Sequence, residues 1–475
     1  MKNLPDIKVN SGKLSLVFFY FICATIGFIY FFYYSPNHVG DFKIIFYFFI
    51  FVGFFTIFIN LRRSSTILNA VNFIVVIYLF CFCFRTIFLF MTDQSHLFHR
   101  LNIQIYDSYT LIYKGVVLAL ISMTFILIGY TIFIKDRRIN LTEFHHLRIY
   151  MGFSYVFIGA GVLLWLLWVF LNGGHEFLLA TLKNPYAMRT GGYVPRFGLL
   201  RWGVYIGSVF VYANVILEKK LQVFDILLFL FYGLIIYSLK CSVSETVLYF
   251  LGAVIVYDIA VKRLRPVRTV FILFLLFSIV VFLKIRLNLS YNEAAGIEAS
   301  DSFKSISHSL VGGSKFAGID VFTMIVSQFP DRLDYIYGRS LIDGIIKVMP
   351  SINKITTGTW LNRIILDTEK RGNNPTLPGI FYLNFGVPGI VFFSFLFGWF
   401  CAVVENYVMK RPSLTNILFY TVTLVFFIIF MSRTGAVTVA LKKYVYMLGG
   451  LFLYHVIPEA GIKISQIHFN RETYK

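Results

Sequence analysis

Apolar runs of about twenty residues recur along almost the whole chain, separated by short polar stretches. That length is what an α-helix needs to cross the hydrocarbon core of a bilayer. A helix also satisfies its own backbone hydrogen bonds, which lipid cannot do. The pattern therefore predicts an all-α polytopic membrane protein.

The apolar runs divide one integral membrane domain, residues 1–475, into about twelve predicted spans. Each is long enough to cross a bilayer, although the seventh and eighth are short and lysines interrupt the last. The predicted spans are 14–34, 44–61, 66–91, 110–134, 149–171, 199–217, 222–239, 246–261, 269–286, 379–404, 413–431 and 435–457.

One long polar segment, 287–378, separates the ninth and tenth predicted spans. It is too long for a simple connection between helices, which indicates a part with its own structure. Apolar spacing predicts a helix over Lys315–Phe329, stopped by Pro330. We expect a second helix to begin at Asp331 as its N-cap, with Asp334 on the same face.

Charge fixes the expected orientation. The chain is 58% hydrophobic and only 14% charged, which excludes an ordinary water-soluble protein. About twenty of its 43 basic residues fall in the segments predicted to lie on the same side of the membrane as the N-terminus. The positive-inside rule then places both termini in the cytoplasm and the long polar segment outside. The net charge of +20 is thus explained by topology, and we expect no nucleic-acid partner.

A second basic population does not follow that rule. It lies within predicted spans or on the outer side: Arg85, Arg189, Arg196, Arg286, Arg339 and Arg433. A single such arginine can snorkel to the interface or pair locally. Several together suit phosphate binding, because a guanidinium stays charged and bonds phosphate oxygens bidentately. We expect Arg189, Arg286, Arg339 and Arg433 to bind a lipid-linked diphosphate, with Arg85 and Arg196 as further candidates.

The sequence contains no signature of a metal or a cofactor. Its five cysteines and nine histidines lack ligand spacing, and no glycine-rich phosphate loop precedes a helix. Arginines must then supply the positive charge that a departing diphosphate requires. The expected outer candidates for a catalytic base are Asp331, Asp334, Glu245 and His308, with Asp331 favoured and a capping role for it left open.

The C-terminal half resembles a known family. KFAGID is followed by PDRLDYIYGRSLIDGIIKVMP and then by PTLPGIFYLNFGVPGIVFFSFLFG. This order is similar to the oligosaccharide repeat-unit polymerases, the O-antigen polymerase (Wzy-type) family of bacterial surface polysaccharide pathways. The motifs cover about a hundred residues, and the continuation after Pro350, PSINKITTGTW, departs from the family pattern.

The resemblance implies a glycosyltransferase of the C type (GT-C) in the bacterial cytoplasmic membrane. Its donor would be a polysaccharide on undecaprenyl diphosphate. The acceptor would be the non-reducing sugar of a new undecaprenyl-diphosphate-linked oligosaccharide. The product would be an O-antigen, capsule or exopolysaccharide, and the partners would be membrane lipid and a chain-length regulator protein. We expect Tyr335, Tyr337 and Asn384 to contact sugar.

Two alternatives remain open at this stage. An O-antigen ligase would share the topology and the lipid diphosphate donor but would use a different acceptor. A flippase for the same lipid-linked oligosaccharide would also suit many spans and internal arginines. Against the flippase, the chain has one large outer segment and lacks the two-half repeat of many transporters.

Overall fold

The computed structural model describes most of the chain. It covers 11–36, 39–63, 68–92, 109–135, 147–183, 198–218, 223–239, 243–261, 264, 268–279 without 270 and 277, 318–348, 357–366, 374–410, 413–445 and 447–453. Helices dominate these residues, and no β-strand occurs among them.

Sixteen labelled helices follow one another along the described chain. They are α1 (Ser11–Tyr33), α2 (Phe42–Arg63), α3 (Ala70–Tyr78), α4 (Arg85–Thr92), α5 (Tyr109–Phe133), α6 (Leu147–Leu171), α7 (His175–Lys183), α8 (Gly198–Glu218), α9 (Val223–Ser238), α10 (Val243–Val256), α11 (Gly318–Gln328), α12 (Arg339–Ile346), α13 (Thr357–Leu366), α14 (Leu377–Lys410), α15 (Leu414–Val422) and α16 (Phe430–Thr434). Further helical residues lie at 437–445 and 447–453.

Three π-helical turns interrupt this series: Leu79–Phe84 joins α3 to α4, Thr423–Ile429 joins α15 to α16, and Tyr257–Val261 extends α10. Such turns hold an extra residue and often occur at functional sites.

Seven helical stretches of the described chain are long and apolar enough to cross a membrane. They are Ser11–Tyr33, Phe42–Leu61, Ala70–Met91, Tyr109–Phe133, Gly152–Leu171, Leu377–Lys410 and Leu414–Thr434. The predicted all-α polytopic membrane protein is therefore confirmed. The count of twelve spans stays a prediction, because α9 and α10 are shorter than these stretches.

The bundle is centred on α5, which is buried along most of its length. It runs parallel to α14, and glycines allow the two backbones to touch. A Cβ on Gly129 would lie 2.2 Å from the carbonyl oxygen of Phe395, and one on Gly398 would lie 2.0 Å from that of Ile126. Small residues at a helix crossing are a common packing device in membranes.

A buried chain of hydroxyls also joins three helices of this bundle. Ser122 of α5 lies 2.9 Å from the Tyr78 hydroxyl of α3 and 2.8 Å from the Ser394 hydroxyl of α14. Each polar group thereby finds a partner inside an apolar interior, where an unpaired one would be destabilising.

The long polar segment contributes a buried helix to the bundle. The predicted helix over Lys315–Phe329 is confirmed as α11, Gly318–Gln328. Its polar stripe, which includes Asp320 and Thr323, faces the interior rather than water. α11 packs on α5 through Gly115, where a Cβ would lie 3.0 Å from Ile319. This part of the segment is therefore built into the helical bundle.

The predicted helix starting at Asp331 is wrong at its beginning. Residues 331–338 form turns and irregular backbone, and α12 begins only at Arg339. Asp331 is therefore no N-cap, and Asp334 does not share a helix face with it. The backbone N–H groups of Ile336 and Tyr337 instead donate to the carbonyls of Leu383 and Asn384, at 3.2 and 3.0 Å.

A bend in α14 lies next to this backbone pairing. Gly386 has φ 65° and ψ −150°, and Pro388 follows inside the helix. A proline cannot donate a backbone hydrogen bond, and a positive φ suits glycine. The NFG motif therefore marks a kink in α14, against which 335–338 is held.

Candidate functional site

A buried ion pair joins the third membrane-crossing stretch to the long polar segment. Arg85, the first residue of α4, is 2% exposed. Its Nε lies 3.2 Å from Oδ1 of Asp320, and its Nη2 lies 2.7 Å from Oδ2 of the same carboxylate. This bidentate geometry is the strongest form of such a pair. The pair holds α11 against α4 and neutralises the Arg85 charge.

Arg433 lies in the same region but has a different environment. It is half-buried near the end of α16, and its guanidinium carbon lies 5.5 Å from the centre of the Phe430 ring. Both Arg433 and Arg85 lie within electrostatic range of Cys81. Among the residues with described placement, no carboxylate pairs with Arg433.

A second buried ion pair lies beyond the Phe430 ring. Lys443 Nζ is 4.4 Å from the centre of that ring and 3.1 Å from Oε1 of Glu245. The Tyr205 hydroxyl donates to Oε2 of the same carboxylate. Glu245 was predicted as a catalytic candidate, and the structure places it in the first turn of α10, buried and engaged by these two partners.

A backbone junction places these side chains together. The Thr376 N–H donates to the carbonyl of Thr434 at 3.0 Å, so the start of α14 meets the end of α16. Gly435 has φ 58°, and a Cβ there would lie 2.0 Å from the carbonyl oxygen of Thr376. A Cβ on Gly318 would lie 2.9 Å from the Cβ of Cys81. Three helix ends and the Leu79–Phe84 turn therefore meet beside Arg433.

Both arginines of this site follow a π-helical turn. Leu79–Phe84 ends immediately before Arg85, and Thr423–Ile429 ends four residues before Arg433. The extra residue of such a turn shifts the helical phase of every side chain after it. The directions of both arginines therefore depend on turns that the 3.6-residue sequence pattern does not reveal.

The predicted sugar-contact residues lie around the kink in α14. Asn384 is buried, and its Nδ2 donates at 2.6 Å both to the Ser340 hydroxyl and to the carbonyl of Ile380. Within the described chain, its Oδ1 accepts no hydrogen bond. The ring of Tyr335 meets that of Tyr382 edge-on at 5.9 Å. Tyr337 is 72% exposed.

Three other predicted residues lie on the surface of the same segment. Asp331 and Asp334 are exposed, as a base that acts on a substrate hydroxyl must be accessible. The Arg339 side chain is 82% exposed, and its Nε lies 3.8 Å from Oδ2 of Asp343. An exposed pair at that distance contributes little to stability. Arg339 is thus available to a ligand but is not enclosed with Arg433.

The remaining predicted residues, Arg189, Arg196, Arg286 and His308, lie outside the described residues. Asp320 and Lys443 were missed as members of the site. Asp320 belongs to the polar stripe predicted on α11, and Lys443 interrupts an apolar run. A charge among apolar neighbours signals a partner, but its identity needs the fold.

Comparison with known proteins does not assign a family. No family model, curated protein or solved structure matches the chain. No group of three or more His, Cys, Asp or Glu side chains suited to a metal occurs in the described ranges. The chemistry of the arrangement is therefore what supports a function: two guanidinium groups inside a helical bundle, one neutralised and one free to meet an anion.

Proposed function

We propose that this protein polymerises lipid-linked oligosaccharide repeat units at the outer face of a bacterial cytoplasmic membrane. It transfers the growing polysaccharide from undecaprenyl diphosphate to the non-reducing sugar of a new lipid-linked repeat unit. It does so as a glycosyltransferase of the C type with about twelve spans, without a metal or a nucleotide sugar.

The observation that carries the proposal is Arg433. A half-buried guanidinium group without a carboxylate partner in the described chain is unfavourable inside a membrane bundle unless an anion visits it. A lipid diphosphate is an anion that reaches such a position from the bilayer, because its hydrocarbon chain stays in lipid. Arginine also binds phosphate oxygens in a bidentate manner.

The chemistry needs one such charge at the donor. The bond between the donor sugar C1 and the phosphate oxygen breaks, and undecaprenyl diphosphate leaves with that electron pair. A bond forms between C1 and the acceptor hydroxyl oxygen, and the hydroxyl proton passes to a base. Negative charge grows on the diphosphate during this step, and Arg433 is preorganised to stabilise it.

The other two candidate arginines in the described chain have different roles. Arg85 is already neutralised by Asp320, so it holds α11 in place and adds little net charge towards a ligand. Arg339 lies on the surface, where it can meet a second phosphate or an incoming headgroup. Among the expected diphosphate ligands, this ranks Arg433 first. Arg189, Arg196 and Arg286 stay predictions.

The acceptor hydroxyl needs a base and a surface for its sugar. Asp331 and Asp334 are exposed on the segment that leads to α12, so either can reach a hydroxyl, with Asp331 preferred. Glu245 is a weaker candidate, because Lys443 and Tyr205 already occupy its carboxylate. Tyr337, exposed beside the kink, suits stacking on a sugar ring.

A reconstituted assay tests the proposal. The purified protein in liposomes is given undecaprenyl-diphosphate-linked repeat units of one length, and products are resolved by size. We expect a ladder of longer glycans and release of undecaprenyl diphosphate in proportion to the bonds formed. A parallel gene deletion should leave the surface glycan at a single repeat unit.

The same assay distinguishes the alternatives. A ligase would form no ladder from repeat units alone but would transfer a preformed chain once its own acceptor is added. A flippase would change the leaflet of the lipid-linked oligosaccharide and would release no undecaprenyl diphosphate. Absence of both ladder and diphosphate release would refute the polymerase proposal.

A further inference from the structure

Each side of the contact between α12 and the helical residues 437–445 carries a lysine. Lys347 follows the last residue of α12, and Lys442 lies in the helical residues 437–445. Both are half-buried, and within the described ranges neither pairs with an acidic side chain. Burial and then the charge of Lys442 lower the pKa of Lys347. Like charges held together in this way call for an anion.

The fold fixes α12 beside the helical residues that carry Lys442. Gly344 of α12 packs directly on Val437, because a Cβ on that glycine would lie 2.9 Å from the Cβ of Val437. At the other end of α12, the Ser340 hydroxyl accepts from Asn384 Nδ2 at 2.6 Å. Both anchors belong to the helical bundle, so α12 is fixed along one face and Lys347 keeps its place beside the helical residues 437–445.

The opposite face of α12 is apolar and exposed. Ile342 is 57% exposed and Ile345 is 59% exposed, and the exposed Tyr337 lies two residues before the first residue of the same helix. The other charged side chains of α12, Arg339 and Asp343, lie 3.8 Å apart. Exposed isoleucines beside cationic groups are typical of a helix that lies in a lipid interface.

We propose that this edge of α12 binds the phosphate of an anionic membrane phospholipid. The ammonium groups of Lys347 and Lys442 contact the phosphate oxygens at the C-terminal end of α12, and the hydrocarbon chains run from that end along the exposed Ile345 and Ile342. Charge complementarity selects the headgroup, and the exposed isoleucines require an occupant with hydrocarbon chains. Its test measures bound lipid rather than turnover, so it does not depend on the proposed transferase activity.

Lipid retention tests the site without any activity measurement. The intact protein in neutral detergent is mixed with phosphatidylglycerol or phosphatidylcholine, and bound lipid is counted by native mass spectrometry. We expect selective retention of phosphatidylglycerol. Lys347→Gln or Lys442→Gln should each weaken it about fivefold, since a lysine near anionic headgroups contributes on the order of 1 kcal/mol. Lys410→Gln, at the exposed end of α14, should change nothing.

Melting temperatures separate lipid loss from misfolding. In lipid-free neutral detergent, Lys347→Gln should melt at or above the wild-type temperature, because it removes repulsion from Lys442. Added phosphatidylglycerol should raise the wild-type melting temperature and leave the Lys347→Gln/Lys442→Gln variant unchanged.

Two results would overturn the site. One is equal phosphatidylglycerol selectivity in the double variant and the wild type. The other is stabilisation by inorganic phosphate as large as that by phosphatidylglycerol, which would mark a free-anion site. Ile342→Ser/Ile345→Ser should lose phospholipid retention while its lipid-free melting temperature stays unchanged. Unaltered retention in that variant would contradict the role of the isoleucines.

Discussion

Two arginines in one bundle differ in what surrounds them. Arg85 is enclosed and bonded twice to Asp320, whereas Arg433 lies over the Phe430 ring and has no carboxylate partner among the described residues. Removing the partner of a buried charge destabilises a protein strongly. A charged side chain whose partner is a transient ligand contributes no permanent ion pair to the fold, so its replacement affects stability less. Substitution at these two sites should therefore affect different measurements.

Asp320→Asn should destabilise the fold. The change leaves the Arg85 guanidinium buried without a countercharge, which costs about 3–5 kcal/mol for a buried pair. We expect a lower melting temperature in detergent. Replacing both partners by apolar residues, as in Arg85→Met/Asp320→Leu, should recover much of the loss. An Asp320→Asn variant as stable as the wild type would show that the pair does not hold α11.

Arg433→Ala should abolish polymerisation with little change in melting temperature. It removes a charge that stabilises the leaving diphosphate, an effect of about 100- to 1000-fold in kcat. Arg433→Lys should recover part of the rate, because it keeps the charge but not the bidentate geometry. The control is Arg332→Ala, at an exposed arginine of the long segment. If the wild type, Arg433→Ala, Arg433→Lys and Arg332→Ala were equally active, Arg433 would not be a ligand of the diphosphate.

At the scale of elements, glycine contacts set how closely the helices approach. α5 and α14 touch through Gly129 and Gly398, and the end of α16 meets the start of α14 at Gly435. The first contact builds the core of the bundle, and the second positions the neighbourhood of Arg433. Both depend on backbones approaching where even one extra carbon would collide.

Gly398→Ala should separate α5 from α14. The new Cβ would lie 2.0 Å from the carbonyl oxygen of Ile126, so the backbone itself must move. Overpacking typically costs about 1–3 kcal/mol, and a fixed backbone places this site at the upper end. Gly152→Ala is the matched control, since that helical position is exposed with nothing within 4 Å. The control should match or exceed wild-type stability. Equal melting temperatures for both variants would contradict the close contact.

The sequence predicted the positions of helices better than it predicted the contacts between them. Periodicity located α11 and the return into α14, because burial of an apolar face is a local property. The helix expected at Asp331 failed, since Ile336 and Tyr337 bond to the distant carbonyls of Leu383 and Asn384. The site was found only in part for the same reason. Arg85 and Arg433 stood out among apolar neighbours, whereas the role of Asp320 depends on tertiary packing.

The whole molecule has two ends, and helix contacts assign residues to each. Lys13 Nζ donates to the carbonyl of Ile134 at 2.6 Å, so the start of α1 and the end of α5 lie together. Asn406 also lies there, accepting from the Lys135 N–H at 2.8 Å. Thr376 and Thr434 lie at the opposite end of α14. Charge bias predicts that the first end faces the cytoplasm.

Cysteine labelling of intact cells tests that orientation. Asp331→Cys, at an exposed position of the long segment, should react with a membrane-impermeant maleimide. Lys410→Cys should react only after permeabilisation. Cys23, Cys81, Cys83 and Cys401 are buried and should stay silent, and Cys241 is replaced by Ser in both variants. Labelling in the reverse order would invert the predicted topology.

The pairing of Arg85 with Asp320 also has a consequence for biogenesis. The partners are 235 positions apart, so the carboxylate leaves the ribosome about 10–50 s after the arginine, at typical synthesis rates. During that interval a nascent membrane helix carries an uncompensated charge, which makes the free energy of its insertion into the bilayer less favourable. α11 has only 11 residues, too few to insert as an independent span. We expect chains truncated before Gly318 to be degraded rapidly, and the same truncation carrying Arg85→Leu to survive longer in a pulse-chase experiment.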